Sequence, residues 1–343
     1  MRGKYFKWVL IGVIFSILSG AAAYYYMGAY IPKSISFDLT KTKQDGNENL
    51  RNVPYPNWKE RNRQRALAVI IDNAPQARPQ AGLDQAEVVI EVPVEGGLTR
   101  LLAIMTSDGI ETVGPIRSAR PYLVDIANEY GAIIVHAGGS LEALDMLEKT
   151  NGEHLDETLG GAQVGAAFWR VPDRLKPYNL YASMDSLRRT AKLEKYKLSG
   201  PPVERATLVP GAEAGGEEID DITIYYPNRS SEVRYVYNKE SYVFERFMAG
   251  SPHETTKGEQ IKTPNIIIQF VPHRYLDGDG RLQLILHGEG QALVFREGKV
   301  VKGLWQKIPG QFTKYTDQNG KTIPLLQGPT WIEIVTNATR VDY

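Results

Sequence analysis

The stretch AEVVIEVPVEGGLTRLLAIMTS, residues 86–107, contributes most to the fold prediction. It contains two apolar runs of strand length, joined through the glycine pair Gly96–Gly97. Glycines tolerate the positive backbone angles of a tight turn, so the stretch predicts two neighbouring strands. A similar run, RALAVIIDN at 65–73, precedes it, and GAIIVHAGG at 131–139 has the length of a buried strand.

Two segments near these runs have helical spacing instead. They are PYLVDIANEY at 121–130 and SLEALDMLEKT at 140–150, and Ser140 stands where a helix N-cap is expected. Strand and helix patterns that alternate along the chain are typical of layered α/β structure. The sequence therefore predicts an α/β (α+β) domain with a mixed sheet at residues 63–209.

The composition changes after this region. The segment PGAEAGGEE at 210–218 has little to bury and predicts a linker. Beyond it, short runs such as ITIYYP, VRYVYN and NIIIQFV are bounded by Gly, Asn, Asp and Pro. This pattern predicts a smaller, all-β domain at residues 219–343.

The first residues predict the cellular compartment. Arg2, Lys4 and Lys7 precede an uncharged stretch from Trp8 to Pro32 that is long enough to cross a bilayer. Positive charge on the N-terminal side predicts a cytoplasmic start, and hence a body outside the cytoplasm. We expect a single-pass anchor in the cell membrane at 1–32, with a cleaved signal peptide as the alternative, and a polar stalk at 33–62.

The composition also limits the partners and the kinds of site that the protein can have. Forty basic and forty acidic residues cancel, which disfavours nucleic acid as a partner. The absence of Cys excludes disulfides, thiolate metal sites and a cysteine nucleophile. The five histidines show no metal-binding spacing, so we expect no metal and no cofactor.

Two glutamates share one face of the strand in 86–95. Glu91 and Glu95 would lie roughly 13 Å apart at ~3.3 Å per residue. Carboxylate pairs of glycosidases lie about 5–9.5 Å apart, so these two do not fit a paired mechanism. The catalytic candidate is therefore Glu95 alone, as a general acid, and the alternative is a structural ion pair.

The motif GPIRSARPY at 114–122 leads into the first predicted helix. It places Arg117 and Arg120 near the helix start, where the dipole disfavours cations. An anion close by would stabilise them. Either Glu91 or Glu95, or a carboxylate or phosphate of a ligand, fits this requirement.

The turn after the strand in 131–136 could also face a ligand, because backbone N–H groups at a helix start can hold an anion. It lacks the Gly-Lys-Ser/Thr ending of a nucleotide-binding loop, which excludes an NTPase. His136 at the strand end could act as a base, a hydrogen-bond donor or a packed core residue.

These motifs together resemble one known family. RPQAGLDQAEVVIEVPVEGGLTR at 78–100, GPIRSARPY, HAGGS at 136–140 and PYNLY at 177–181 are similar to the YerB-like family of bacterial cell-surface proteins. The resemblance covers nearly the whole exported chain. It implies a cell-envelope protein of a family that is largely of unknown function and has many lipoprotein members. The complete set of predicted binding residues is Glu91, Thr99, Arg100, Arg117, Ser118, Arg120, His136, Gly138, Gly139, Ser140, Asn179 and Tyr181.

The sequence departs from this family at two points. It has no cysteine to carry a lipid. In PYNLY, Tyr178 stands where the family usually has His. The second departure favours a binding role, or Glu95 as the sole proton-transfer group.

The sequence leaves three functions open. The first is a ligand- or partner-binding module at the bacterial cell envelope, and the second is a glycan-active wall hydrolase or lytic enzyme that uses Glu95. The third is a structural scaffold. The expected partners are the membrane, through the N-terminal segment, a wall polymer or other anionic ligand, and a protein.

Overall fold

The computed structural model describes residues 64–150, 152–199, 215–278 and 280–343. They belong to one compact unit, Leu50–Tyr343. The predicted anchor at 1–32 and the stalk at 33–62 lie outside the described residues. Within the described ranges, no helix is both long and apolar enough to cross a membrane.

Three adjacent antiparallel strands lie near the middle of the main sheet. They are β1 (Leu67–Asp72), β2 (Val88–Pro93) and β3 (Thr99–Met105). β3 pairs with both of the others, and every residue of the three strands is buried. Such runs are apolar at nearly every position because both faces of the sheet are covered.

The remaining elements of the N-terminal part are short. The helices are α1 (Pro121–Glu129), α2 (Leu141–Lys149), α3 (Gly161–Gly165) and α4 (Met184–Leu193). The strands are β4 (Ile133–His136), β5 (His154–Asp156), β6 (Phe168–Arg170) and β7 (Leu180–Ala182). The helices α1 and α2 lie where the sequence predicts them.

The described residues of the C-terminal part contain strands and one short 3-10 turn but no α-helix. The strands are β8 (Glu217–Glu218), β9 (Asp221–Tyr225), β10 (Val233–Asn238), β11 (Val243–Met248), β12 (Ser251–Pro252), β13 (Lys262–Thr263), β14 (Asn265–Val271), β15 (His273–Tyr275), β16 (Leu282–Leu284), β17 (Gly288–Arg296), β18 (Lys299–Lys307), β19 (Lys314–Asp317), β20 (Thr330–Thr336) and β21 (Arg340–Asp342).

Strands from both parts form one mixed sheet of eleven strands. Its order is β19-β18-β17-β14-β20-β2-β3-β1-β4-β5, with β8 paired to β18. The two parts meet where β20 pairs in parallel with β2, so that Glu91 lies opposite Glu333. The mixed sheet is confirmed, but the N-terminal part is richer in sheet than the α/β prediction implied. Its central strands pair antiparallel and need no crossover helix between them.

The main sheet is covered on both faces. Side chains of α1 and α2 pack on one face, together with Ile70 and Ile134. Side chains of α4 pack on the other face, and so do residues of a second, six-stranded sheet ordered β12-β11-β10-β9-β21, with β13 paired to β11. The end of the predicted linker belongs to the main sheet, since Glu217 and Glu218 pair with β18.

Candidate functional site

Three arginines meet where the segment 114–120 crosses the end of the central strands. Arg100 is on β3, and Arg117 and Arg120 are on the crossing segment. Backbone hydrogen bonds fix that segment: Arg117 N–H donates to Ile70 O at 2.9 Å, and Ala119 N–H donates to Gly138 O at 2.9 Å. We call Arg100, Arg117 and Arg120 the arginine cluster.

Glu95 is held by Arg120 through two hydrogen bonds. Arg120 Nε donates to Oε1 at 2.6 Å and Nη2 donates to Oε2 at 3.1 Å. Partial burial acts to raise the pKa of Glu95, but the Arg120 hydrogen bonds and charge outweigh it and lower the pKa. The predicted ion pair between a glutamate and an arginine of the helix start is confirmed, and it keeps Glu95 ionised.

Arg117 pairs with a carboxylate that the sequence analysis missed. Its Nε lies 2.7 Å from Oδ2 of Asp72, the last residue of β1. Its guanidinium also lies 6.0 Å from the ring centre of Tyr178, which is within cation–π range. Tyr178, the residue at which the sequence analysis noted a departure from the resembled motif, therefore lies beside Arg117.

Arg100 is the most buried member of the cluster, with 7% of its surface exposed. Its Nη1 donates to Ser118 O at 2.8 Å. Burial lowers the pKa of Arg100 to about 10, and the charges of Arg120 and Arg117 add to this effect. Among the described residues, no ion pair within 4 Å includes Arg100. The cluster therefore carries three cations against two carboxylates.

The structure places two predicted binding residues, Glu91 and Thr99, in a closed interior. Glu91 has no exposed surface and Thr99 has 1%. Asn73 Nδ2 donates to both, to Glu91 Oε1 at 3.0 Å and to Thr99 Oγ1 at 2.8 Å. Since both side chains are buried within the protein, neither is accessible to a ligand.

Glu91 belongs to an ion network at the junction of the two parts. Arg246, which is fully buried, donates to Glu91 Oε2 through Nη2 and to Glu333 Oε1 through Nη1, the latter at 2.8 Å. Tyr235 and Tyr226 also donate to Glu333, at 2.6 and 2.9 Å. Burial and the Glu91 charge raise the pKa of Glu333 to about 7. This network joins the two parts of the chain.

The predicted turn at 136–140 connects the end of β4, at His136, to the N-cap of α2, at Ser140. The ring Nδ1 of His136 lies 2.8 Å from Gly138 O, and Gly138 has a positive φ of 63°. Gly139 forms a backbone bridge with Ala119. The predicted N-cap is confirmed, because Ser140 Oγ accepts from Ala143 N–H at 3.3 Å. The turn thus supports the segment that carries Arg117 and Arg120.

Asn179 and Tyr181 lie apart from these contacts. Asn179 Nδ2 donates to Val171 O at 3.2 Å and Arg174 O at 3.1 Å, so this side chain holds a loop together. Tyr181 is 3% exposed and lines a different cavity, of about 320 Å³, beside Lys257. The structure therefore brings together Glu95, Arg100, Arg117, Ser118 and Arg120, but not Asn179 and Tyr181.

The described residues contain no group of three or more His, Asp or Glu side chains that could hold a metal ion. The arginine cluster instead presents donors and positive charge, which suit an anion.

The protein is rich in β-sheet, and its N-terminal and C-terminal parts share one continuous sheet. Residues 55–197 match the family described as "Protein of unknown function (DUF3048) N-terminal domain", and residues 222–332 match its "C-terminal domain". The chain belongs to this YerB-like family, as the sequence motifs indicated, and the two-domain organisation is confirmed.

One relative supports this assignment in both sequence and structure. The chain is 35% identical over 275 residues to "Putative lipoprotein YerB" of Bacillus subtilis (strain 168), covering 79% of this chain and 81% of that protein. A crystal structure of YerB from Bacillus subtilis matches with a TM-score of 0.74 at 32% identity, over 83% of this chain and 96% of that one.

Proposed function

We propose that this protein is anchored in the cell membrane, has its body outside the cytoplasm, and binds an anionic ligand at the arginine cluster. The charged start and uncharged stretch of residues 1–32 support a single-pass anchor. The name of the Bacillus subtilis relative, "Putative lipoprotein YerB", supports membrane attachment. The chain has no Cys to carry a lipid, so the apolar segment takes the anchoring role in this proposal.

The observation that carries the ligand proposal is Arg100. A guanidinium that is 7% exposed loses hydration, and the charges of Arg120 and Arg117 disfavour its ionised form, while Glu95 opposes this effect without an ion pair to Arg100. Burying a charge without a partner is costly. An anion bound beside Arg100 would supply the missing negative charge, and Arg117 and Arg120 would contribute further donors.

The state of Glu95 favours binding over cleavage. A general acid must be protonated near neutral pH, and enzymes achieve this by raising the pKa of a carboxyl group. The bonds from Arg120 have the opposite effect on Glu95. In this proposal Glu95 orients Arg120 and sets the charge of the cluster.

The ligand class that fits the proposed location is an anionic polymer of the cell wall. The test uses the full-length protein in detergent micelles and a purified wall polymer that carries phosphate groups. Retention of intact polymer, weakened as salt rises from 50 to 500 mM, is expected. The products are analysed by mass spectrometry. New polymer fragments would support the hydrolase alternative, and no retention at low salt would refute the binding proposal.

A further inference from the structure

A second polar group, which includes no residue of the arginine cluster, contacts the turn at 136–140. It consists of His136 on β4 and His154 and Asp156 on β5. His154 and Asp156 are two residues apart on one strand, so their side chains share a face. Both line an open groove with a volume of about 660 Å³. We call this the acidic groove.

Hydrogen bonds fix the tautomers of the two histidines. His136 Nδ1 lies 2.8 Å from Gly138 O, which can only accept, so Nδ1 carries the proton. His136 Nε2 then accepts from His154 Nδ1, 2.9 Å away. This leaves Nε2 of His154 as an unprotonated acceptor. Burial lowers the pKa of both histidines, which keeps the pair neutral near pH 7.

Asp156 supplies an unused acceptor at the same place. Its Oδ1 accepts from the backbone N–H groups of Gly138 and Thr158 at 2.7 and 2.8 Å. Its Oδ2 is buried and has no hydrogen-bond partner among the described residues. The nearest cationic candidate is His136 Nδ1 at 3.9 Å, whose proton is donated to Gly138 O. A buried carboxylate oxygen without a donor is costly and suits a positively charged ligand.

The other residues that line the groove suit a ligand with a positively charged group and an apolar part. Three further carboxylates line it, and none of its lining residues is Lys or Arg. They are Asp145, Glu148 and Glu194, of which Asp145 is paired with Lys149 outside the groove. Two leucines of the lining, Leu141 and Leu159, are 83% and 66% exposed. Apolar side chains beside acceptors are what an alkylammonium group needs.

We propose that the acidic groove is a binding site for an alkylammonium group, held between Asp156 Oδ2 and His154 Nε2, with its alkyl chain against Leu141 and Leu159. Among the described residues, no three His, Asp or Glu side chains lie close enough together to hold a metal ion. The ammonium group can come from a small amine or from a lysine side chain of a protein. None of its residues belongs to the arginine cluster.

The test uses the full-length protein in detergent micelles, with its five histidines labelled with ¹³C at Cε1. The probes are n-hexylammonium and its neutral counterpart n-hexanol, at pH 8. His154→Gln identifies the His154 resonance, because one signal disappears. The expected result is a saturable shift of that resonance with hexylammonium and none with hexanol.

Asp156→Asn tests the carboxylate, since the amide keeps the Oδ1 acceptor that holds the turn. It should weaken hexylammonium binding by about tenfold or more, because a charge-assisted hydrogen bond is lost. The matched control Asp220→Asn, in an exposed pair with Lys239, should leave it unchanged. If Asp156→Asn fails to fold, the His154→Gln variant serves instead. Its loss of binding is followed by the fluorescence of an alkyldiamine that carries dansyl at one end and a free ammonium group at the other.

Three results would overturn the proposal. They are an equal response to hexanol, unchanged affinity in the Asp156→Asn variant, and tighter binding of Zn²⁺ or Ca²⁺ than of hexylammonium. The peptide acetyl-Leu-Lys-Leu-amide separates the two sources of the ammonium group. Tighter binding of the peptide than of hexylammonium supports a protein lysine, and the reverse order supports a small amine.

Discussion

Replacing Glu333 by Gln should remove most of the pH dependence of stability near neutral pH. The pKa of Glu333 is raised to about 7 in the folded protein from 4.5, because the side chain is fully buried beside Glu91. Protonated Glu333 therefore stabilises the folded state fully below pH 4.5, and this contribution is lost as the pH rises through about 7. The gap between the two values corresponds to about 3 kcal/mol.

Gln resembles the protonated form of the side chain. Its oxygen can keep the hydrogen bonds from Arg246 and Tyr235, and its amide can donate to Tyr226. We expect wild type and Glu333→Gln to differ by less than about 1 kcal/mol at pH 5. At pH 8 the variant should gain about 3 kcal/mol relative to wild type, because one buried carboxylate then faces one buried arginine.

Urea unfolding at pH 5, 6, 7 and 8, followed by tryptophan fluorescence, measures this difference. Trp331, whose ring lies 4.2 Å from the Arg246 guanidinium carbon, reports on the network itself. The control is Glu245→Gln, at a partly exposed pair with Lys262. A difference between wild type and Glu333→Gln that is constant from pH 5 to 8 would refute the assigned pKa.

Three further predictions concern charge and topology. At pH 5, where Glu333 is protonated, Glu91→Gln should lower the free energy of unfolding by about 1–3 kcal/mol, since it removes the ionised partner of buried Arg246, whereas Glu95→Gln at a partly exposed pair should cost less than about 1 kcal/mol. Thermal melts of both variants check this, and the reverse order would contradict it. Arg246→Met should cost about 3–5 kcal/mol in the same assay at pH 8, where both Glu91 and Glu333 are ionised, because it leaves two buried carboxylates without a cation; a neutral effect would contradict it. Protease added to intact, wall-stripped cells should digest the body of the protein, and full protection would disprove the extracytoplasmic location.

The sequence predicted those parts of the fold that depend on neighbouring residues in the chain. The apolar runs of 65–73, 86–107 and 131–139 all became strands of the main sheet. The sequence did not predict whether neighbouring strands pair parallel or antiparallel, because a continuous apolar run indicates only that both faces of the strand are covered. Here α1 and α2 cover one face, and α4 and the second sheet cover the other. The central runs, which suggested an α/β layer, pair antiparallel. The insertion of β20 beside β2 brings together residues more than 200 positions apart, which periodicity does not reveal.

The site was predictable to a similar degree. Two cations at a helix start require a nearby anion, and this argument found the Glu95–Arg120 pair. It could not distinguish Glu91 from Glu95, because the partner of Glu91 is Arg246, 155 positions away in the sequence. The sequence could have indicated Asp72 as a partner of Arg117, since a carboxylate that follows a buried apolar run lies at the end of a strand. The contact between His136 and His154 depends on parallel pairing of β4 and β5, which no local pattern shows.

The most direct test of the anion-binding proposal compares two arginine variants in one binding assay. Arg100→Gln removes the buried cation of the cluster, and Arg170→Gln removes a partly exposed arginine that pairs with Glu157 outside it. The measurement is the affinity of each full-length variant for the purified phosphate-bearing wall polymer at 50 mM salt. We expect Arg100→Gln to weaken binding about tenfold or more, and Arg170→Gln to change it less than about twofold. Equal affinity of Arg100→Gln and wild type would contradict the account.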